Sequence, residues 1–290
     1  MSYLVLARKW RPQRFEDIVG QSHITRVLRN AITAGRIAHA YLFTGVRGVG
    51  KTTAARILAK ALNCESGPTA DPCNQCSHCT EITGGSPLDV YEIDGASNRG
   101  IDEVRQIIEN VRYQPAKGRF KIYIIDEVHQ VTKDAFNALL KTLEEPPPFV
   151  KFILATTEPH RLPETILSRC QRFDFRRIAV REIVQRLSEI AAREGLRITE
   201  GALLLLAREA EGSMRDAQSL LEQILSYAVP SAGDEKTQAL IDELLLQDIL
   251  GIAERRVLYD LSGAVIQGDA KRCVELVGDV MAQGQDIARL

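Results

Sequence analysis

The sequence contains no apolar run long enough to cross a bilayer. Its longest, ALLLLA at 202–207, covers a third of the roughly 20 residues a spanning helix needs. No secretory leader is expected either, since Arg8, Lys9 and Arg11 follow only a brief apolar patch at the N-terminus. Aromatic residues make up 6% with a single tryptophan, Trp10, and no repeat or low-complexity segment is present. Strong charge of either sign is missing, since 37 basic against 38 acidic side chains leave a net charge of −1. That balance excludes a bulk polyanion-binding surface and confines any nucleic-acid contact to local patches. A cytoplasmic location with no membrane association is expected.

What remains is an ordinary globular composition, 45% hydrophobic and 26% charged over 290 residues, enough for two or three domains. Six cysteines in a cytoplasmic chain are poor candidates for structural disulfides. Four of them, Cys64, Cys73, Cys76 and Cys79, are spaced C-x8-C-x2-C-x2-C with polar turn-forming residues between. Four thiolates at such spacing suit a tetrahedral structural Zn²⁺ site. His78 could replace one ligand, although ligation by adjacent residues strains the geometry. Cys170 and Cys273 are expected to be buried small hydrophobes.

The most informative stretch is Tyr41–Thr53, YLFTGVRGVGKTT. An apolar strand runs through Gly45, Gly48, Val49 and Gly50 into Lys51-Thr52-Thr53 and a helical AARILAKAL. This is G-x-x-x-x-G-K-[ST] in its required context. The glycines let backbone N–H groups curl around phosphate oxygens at the positive end of the next helix. Lys51 would reach the β- and γ-phosphates of ATP, and the Thr52 hydroxyl would ligate Mg²⁺. The run RFKIYIIDEVHQ at 119–130 delivers Asp126 and Glu127 to the C-terminal edge of a buried strand, where ligands sit in open α/β sheets. Asp126 would support Mg²⁺, and Glu127 would orient the attacking water.

Residues 1–40 carry a break at Arg11-Pro12, turns at Asp17 and Gly20, and an amphipathic helix over 22–34. Further strands are expected at 88–94, 150–157 and after Ser168-Arg169-Cys170, with helices at 101–112 and 134–145, the latter stopped by Pro146-Pro147-Pro148. The tip Thr156-Thr157 would lie beside the acids of the preceding strand. Strands alternating with helices give a parallel sheet covered on both faces. From about 179 only helices follow: IVQRLSEIAAREG, GALLLLAREAEG and SMRDAQSLLEQILSYA. In the last, Ser213 and Asp216 make a capping-box-like start that puts Arg215 in the first turn, where the helix dipole disfavours a cation. An anionic partner would explain it. Residues 229–236 read as a linker, and 237–290 hold three more helical patterns that end without a capping signal, as if within a domain.

In order, GVRGVGKT, IIDEVH, LATTEPH, ILSRC and GSMRDA, joined by a helical lid, resemble an AAA+ ATPase. The four-cysteine insert, ARKWRPQRFEDIVGQ and FNALLKTLEEPP narrow the resemblance to the gamma/tau family of bacterial DNA polymerase III clamp-loader subunits. The expected fold class is therefore an α/β P-loop NTPase core with a zinc-binding insert, an all-helical lid and the start of a helical collar. The corresponding ranges are 1–178 with the zinc module at about 64–80, 179–236, and 237–290. The resemblance implies adenine contacts from Arg11, Pro12 and the Val19-Gly20 turn. It implies a sensor 1 role for Thr157, a sensor 2 role for Arg215, and an arginine finger at Arg169 acting in trans on a neighbour's ATP. The partners it implies are other clamp-loader subunits in a pentamer, a sliding clamp, primer–template DNA, and the polymerase core through regions beyond 290. Arg99 and Arg105 are open between DNA-facing and merely solvated. Two other readings are a non-hydrolysing structural subunit of the same assembly and another AAA+ DNA motor such as a branch-migration helicase. The intact P-loop opposes the first, and the cysteine insert opposes the second.

Overall fold

The structure is a computed structural model and describes residues 4–97, 100–228, 240–250 and 255–282. Its centre is a parallel sheet of five strands: β1 (Ala40–Thr44), β2 (Val90–Asp94), β3 (Lys121–Asp126), β4 (Val150–Thr156) and β5 (Gln171–Asp174). Their spatial order is β2-β3-β4-β1-β5. Thr44 lies in register with Thr156 and Asp174, and Asp94 with Asp126. The strand tips therefore form one edge carrying hydroxyls and carboxylates.

The central strands β1, β3 and β4 are buried on both faces, which is why they read as nearly continuous apolar runs, whereas the edge strands β2 and β5 are exposed at most positions. In β3, Ile122 and Ile124 face one cluster while Tyr123 and Ile125 face the other. The first cluster is closed by α2 (Ser22–Thr33) and α3 (Lys51–Asn63), through Leu28, Ile32, Ile57, Leu58 and Leu62. The second is closed by α5 (Ile101–Val111), α6 (Lys133–Glu144) and α7 (Glu164–Leu167), with Val104, Phe136, Leu139 and Ile166 inside. Between α3 and β2 runs the cysteine insert, which ends in a helix, α4 (Ser77–Gly84). Two turns of helix within the insert were not expected from a stretch read as turns.

A third cluster belongs to α8 (Val180–Glu194), α9 (Glu200–Glu209) and α10 (Met214–Ala228), packed through Ile183, Leu187, Ile190, Leu206, Leu221 and Ile224. Gly195, at φ +75°, ends α8 in the left-handed conformation that a residue with a Cβ resists. Beyond the linker, whose residues 229–236 lie outside the described residues, Ile198 bridges Ile241, and α11 (Glu243–Leu250) adds Leu246 to the same cluster. α12 (Arg255–Gln267) and α13 (Ala270–Ala282) pack on each other as a hairpin.

The N-terminal segment straps the two parts together. Its short helix α1 (Leu6–Lys9) puts Leu6 into the helical cluster, while Phe15 and Ile18 sit in the sheet cluster. Between them Trp10 donates its indole N–H to Glu194 Oε1 at 2.7 Å, and the Arg193 guanidinium lies 5.3 Å from the ring centre. Lys9 and the indole hold the Glu194 carboxyl below its usual range despite its partial burial. Cys170 and Cys273 are half-buried rather than buried: Cys170 packs on the second cluster from the turn before β5, and Cys273 lies in the first turn of α13. Arg105 is exposed on α5, and Arg99 lies outside the described residues.

Candidate functional site

The turn after β1 is built on glycines that sequence alone marks but does not explain. Gly45, Gly48 and Gly50 have φ of +140°, +76° and +104°. A Cβ on Gly45 would lie 2.4 Å from the Phe175 carbonyl oxygen, and one on Gly48 would lie 1.9 Å from Ser213 Oγ. The loop is thus pressed between the end of the sheet and the start of α10. The backbone N–H groups of Met214 and Arg215 donate to the Gly48 carbonyl at 3.1 and 3.3 Å, and Ser213 Oγ accepts from Asp216 N–H at 3.2 Å. The first turn of α10 finds acceptors for its exposed donors in the loop itself.

Lys51 opens α3 and is buried, its Nζ donating to the Gly45 and Val46 carbonyls at 2.8 and 2.9 Å. Burial lowers its proton affinity, while Glu127 and Asp126 work in the opposite direction. The ammonium therefore sits inside the loop on neutral acceptors that phosphate oxygens can replace. Thr52 Oγ1 donates to Asp126 Oδ2, joining the P-loop to the tip of β3 across β4. A hydroxyl and a carboxylate so placed are a donor set for a hard divalent cation such as Mg²⁺.

Glu127 follows in a left-handed backbone, φ +45°, which turns its side chain back over the sheet edge. Its Oε2 accepts from the Thr157 backbone N–H at 3.3 Å and from Thr157 Oγ1 at 2.9 Å. The buried His129 sits 2.9 Å from Thr156 Oγ1 through Nδ1, 3.4 Å from Glu127 Oε2 and 3.2 Å from Glu158 Oε1. No sequence argument singled out His129, and a lone histidine after two acids carries no signal.

A cavity of about 770 Å³ opens over this edge. Gly48, Val49, Gly50, Lys51, Thr52 and Thr53 form its floor, with Asp126 and Glu127 on one side. Arg11, Pro12 and Val19 form its lip, and Arg215 enters from the helical part. Four expected site residues are not in its wall, the first being Gly20, next to Val19. Gly45 lies behind the loop, and Thr157 stands behind Glu127. Arg169 is elsewhere, paired to Glu144 Oε1 at 2.6 Å.

Residues the sequence reading missed also line the cavity: Arg8, Arg47, Arg56 and Arg186, and Thr83 to Gly85 at the C-terminal end of α4. Arg56 was legible in principle, since it lies four residues after Thr52 on the same helix face; it holds Glu92 through two bonds of 2.7 Å. Burial, Arg56 and Arg215 together depress the proton affinity of Arg11, against the pull of Glu92. Seven cationic side chains line the cavity against five acidic ones, Asp17, Glu92, Asp94, Asp126 and Glu127, and the excess of positive charge favours an anionic ligand.

The cysteine insert forms a second site. The Sγ atoms of Cys64, Cys73, Cys76 and Cys79 all lie within 4.8 Å of one another, and His78 is not among them. Metal–sulfur bonds of about 2.3 Å in a tetrahedron separate sulfurs by about 3.8 Å, so the four fit a zinc-sized ion with little adjustment. Backbone N–H groups already point at the sulfurs: Cys73 N–H toward Cys64 Sγ at 3.4 Å, and Cys76 N–H toward Cys73 Sγ at 3.3 Å. Burial pushes the Cys79 thiol up, a penalty that a central cation removes. Arg119 ties the insert to the sheet through the Cys64 and Glu65 carbonyls.

Comparison with known proteins gives consistent results. The family model described as DNA polymerase III, delta subunit, matches residues 20–179, and that of the DNA polymerase III clamp loader subunit, ATPase lid domain, matches 182–229. The chain is 49% identical over 290 residues to the DNA polymerase III subunit tau of Bacillus subtilis, covering 100% of this chain and 50% of that one. It is 49% identical over 284 residues to the tau subunit of Escherichia coli, covering 98% and 43%. With the gamma subunit of Buchnera aphidicola from Acyrthosiphon pisum it shares 45% over 284 residues, covering 98% and 76%. The chain spans about half the length of these tau relatives. Among solved structures, the Thermotoga maritima RuvB Holliday junction branch migration motor superposes with a TM-score of 0.60 at 17% identity, covering 88% of this chain and 79% of that one. At that identity the likeness concerns the fold.

Proposed function

Because the chain belongs to the tau/gamma family of DNA polymerase III clamp-loader subunits, we propose that it is an ATP-binding and hydrolysing motor subunit. In this reading it opens a sliding clamp and loads it onto primer–template DNA. The observation that carries the reading is the bond between Thr52 Oγ1 and Asp126, with Lys51 folded inside the same loop. A P-loop, its acidic strand and its lysine are thereby assembled within one chain. A non-hydrolysing structural subunit would have no need of that set, and the relatives disfavour a branch-migration motor.

Each residue has a part in this chemistry. The loop amides from Gly48 to Thr53 and Lys51 bind the phosphates. Arg11, Pro12 and Val19 close over the base, and Arg215 reaches the phosphates from the lid. Thr52 and Asp126 would hold Mg²⁺, which neutralises charge on the β- and γ-phosphates when bound. Glu127 orients the water for in-line attack. Its carboxylate is engaged by Thr157 here, so release from Thr157 frees Oε2 to accept from that water. Arg169, outside its own chain's cavity and half-exposed, acts as a finger on the next subunit's ATP. Cys64, Cys73, Cys76 and Cys79 hold structural Zn²⁺.

We assign 1–178 to the nucleotide-binding unit, 179–236 to the lid and 237–290 to the beginning of the collar. The assembly is read as a pentamer with the ring and DNA as partners, acting in the cytoplasm and meeting the polymerase core through segments after 290. No helix among the described residues is long and apolar enough to cross a membrane. Lys51→Ala is the direct test of the pocket: ATP affinity should fall below detection by calorimetry, and retained micromolar binding would refute the P-loop assignment.

A further inference from the structure

The insert and the cavity are joined at one side chain. Gln13 lies on the strap between the cavity lip and the sheet core and does not itself line the cavity. Its Oε1 accepts from Lys60 Nζ, and the Thr83 hydroxyl lies 3.2 Å from the same oxygen. Its Nε2 donates to the Arg11 carbonyl at 2.9 Å. Both outer partners lead to the cysteine module. Lys60, only 2% exposed, gives a second bond of 3.0 Å to Asn74 Oδ1, and Asn74 stands in the left-handed region, φ +59°, between Cys73 and Cys76. The Thr83 hydroxyl is also 2.8 Å from the Cys79 carbonyl.

We propose that Gln13 is a positioning residue that couples the folded cysteine module to the base end of the nucleotide pocket. The inference rests on the nucleotide reading above. The amide is used at both ends: its oxygen is fixed by the module, and its nitrogen then fixes the backbone of Arg11, which leads into Pro12. Thr83 to Gly85 form the facing wall of the same cavity. Both sides of the base end are therefore set by where the module holds Lys60 and Thr83, whereas the phosphate end is set by α3 and the loop. An ammonium as buried as Lys60 keeps to its fixed acceptors, because leaving them strands a charge out of water. Loss of the knuckle around Asn74 removes one of those two acceptors and frees the lip.

The test is calorimetric titration of the 290-residue chain with ADP plus Mg²⁺ and, separately, with pyrophosphate plus Mg²⁺. Gln13→Glu keeps an acceptor for Lys60 and Thr83 but replaces the Nε2 donor with oxygen facing the Arg11 carbonyl. The expected result is a five- to tenfold loss of ADP affinity with pyrophosphate affinity within twofold of wild type, and with full zinc content and an unchanged melting point. Stripping the metal from the wild-type chain should produce a similar loss selective for ADP. Stripping it from Gln13→Glu should add less than twofold, since both perturbations cut one path. Gln13→Ala should match Gln13→Glu in ADP affinity. ADP binding by Gln13→Glu within twofold of wild type would overturn the inference, as would losses from substitution and metal removal that multiply. If the wild-type chain bound no ADP at all, the nucleotide reading would fail first and this inference with it.

Discussion

Substituting alanine for Gly48 tests how the helical part is seated on the P-loop. Gly48 stands at φ +76°, and a methyl there meets Ser213 Oγ at 1.9 Å, Ser213 Cβ at 3.1 Å and Arg215 Cβ at 3.2 Å. Placing alanine in the left-handed region costs about 1 kcal/mol relative to glycine. Ser213 must move, and it caps α10 through Asp216 N–H at 3.2 Å; losing such a cap costs about 1 kcal/mol. The Met214 and Arg215 N–H bonds to the Gly48 carbonyl stretch as the helix shifts, at roughly 0.5–1.5 kcal/mol each. These losses overlap, so Gly48→Ala should destabilise by about 2–4 kcal/mol in urea denaturation followed by circular dichroism and Trp10 fluorescence. Nucleotide affinity should fall in parallel because Arg215 is withdrawn. Ser213→Gly in the same background removes the Ser213 atoms that collide while costing a few tenths of a kcal/mol for the lost cap. It should therefore restore all but about 1–1.5 kcal/mol, most of which is the φ cost at position 48. Stability of Gly48→Ala within about 0.5 kcal/mol of wild type, or no recovery in the double variant, would refute this picture of the seat.

Arg169→Ala should change stability by less than about 1 kcal/mol, since its pair with Glu144 is largely exposed. It should leave ATP binding intact and lower turnover only in the assembled complex; equal loss of binding and turnover would contradict a role in trans. Chelating the metal should lower the melting temperature on the order of 10 °C, taking a metal present at about a thousandfold its Kd, with turnover at saturating ATP preserved. Loss of that turnover at an unchanged melting temperature would instead mark a catalytic metal. Asp89 accepts from the N–H groups of Ala116, Lys117 and Gly118 at 2.6, 2.8 and 2.6 Å. Burial opposes its ionisation, but these donors prevail and hold its carboxyl below the usual range. A depressed folded-state value stabilises above the unfolded value near pH 4 and is lost as pH falls through the folded one. Asp89→Asn should therefore cost about 2 kcal/mol at pH 7 and progressively less below pH 4, and a pH-independent loss would show that the carboxylate charge is irrelevant.

Much of the fold was legible because burial and local chemistry agreed. The three central strands β1, β3 and β4 were readable as apolar runs, with Val150–Thr156 buried throughout, whereas the edge strands β2 and β5 are partly polar and mostly exposed. The three prolines stopped α6 at Glu144, and Ser213 capped α10 as its spacing suggested. Legibility failed where a side chain answers to something other than a core. α4 has little amphipathic pattern because Cys79 turns toward the sulfur cluster and Thr83 toward Gln13. His129 is buried by partners from three later positions, Thr156, Glu158 and Gln130, and no local period encodes them. The glycine pattern of the P-loop was obvious, but its second use was not. Gly48 is needed for φ and also because Ser213, 165 positions on, occupies the space a side chain would take.

In the proposed reading this pocket drives a clamp-loading cycle. That reading is tested most directly by the steady-state ATP turnover of the full assembly with primed DNA and sliding ring, each alone and both together, for the wild-type chain and Lys51→Ala. The expected result is turnover stimulated well above either alone when both are present, and abolished at this site by Lys51→Ala. Turnover indifferent to ring and DNA, or undiminished by Lys51→Ala, would contradict it.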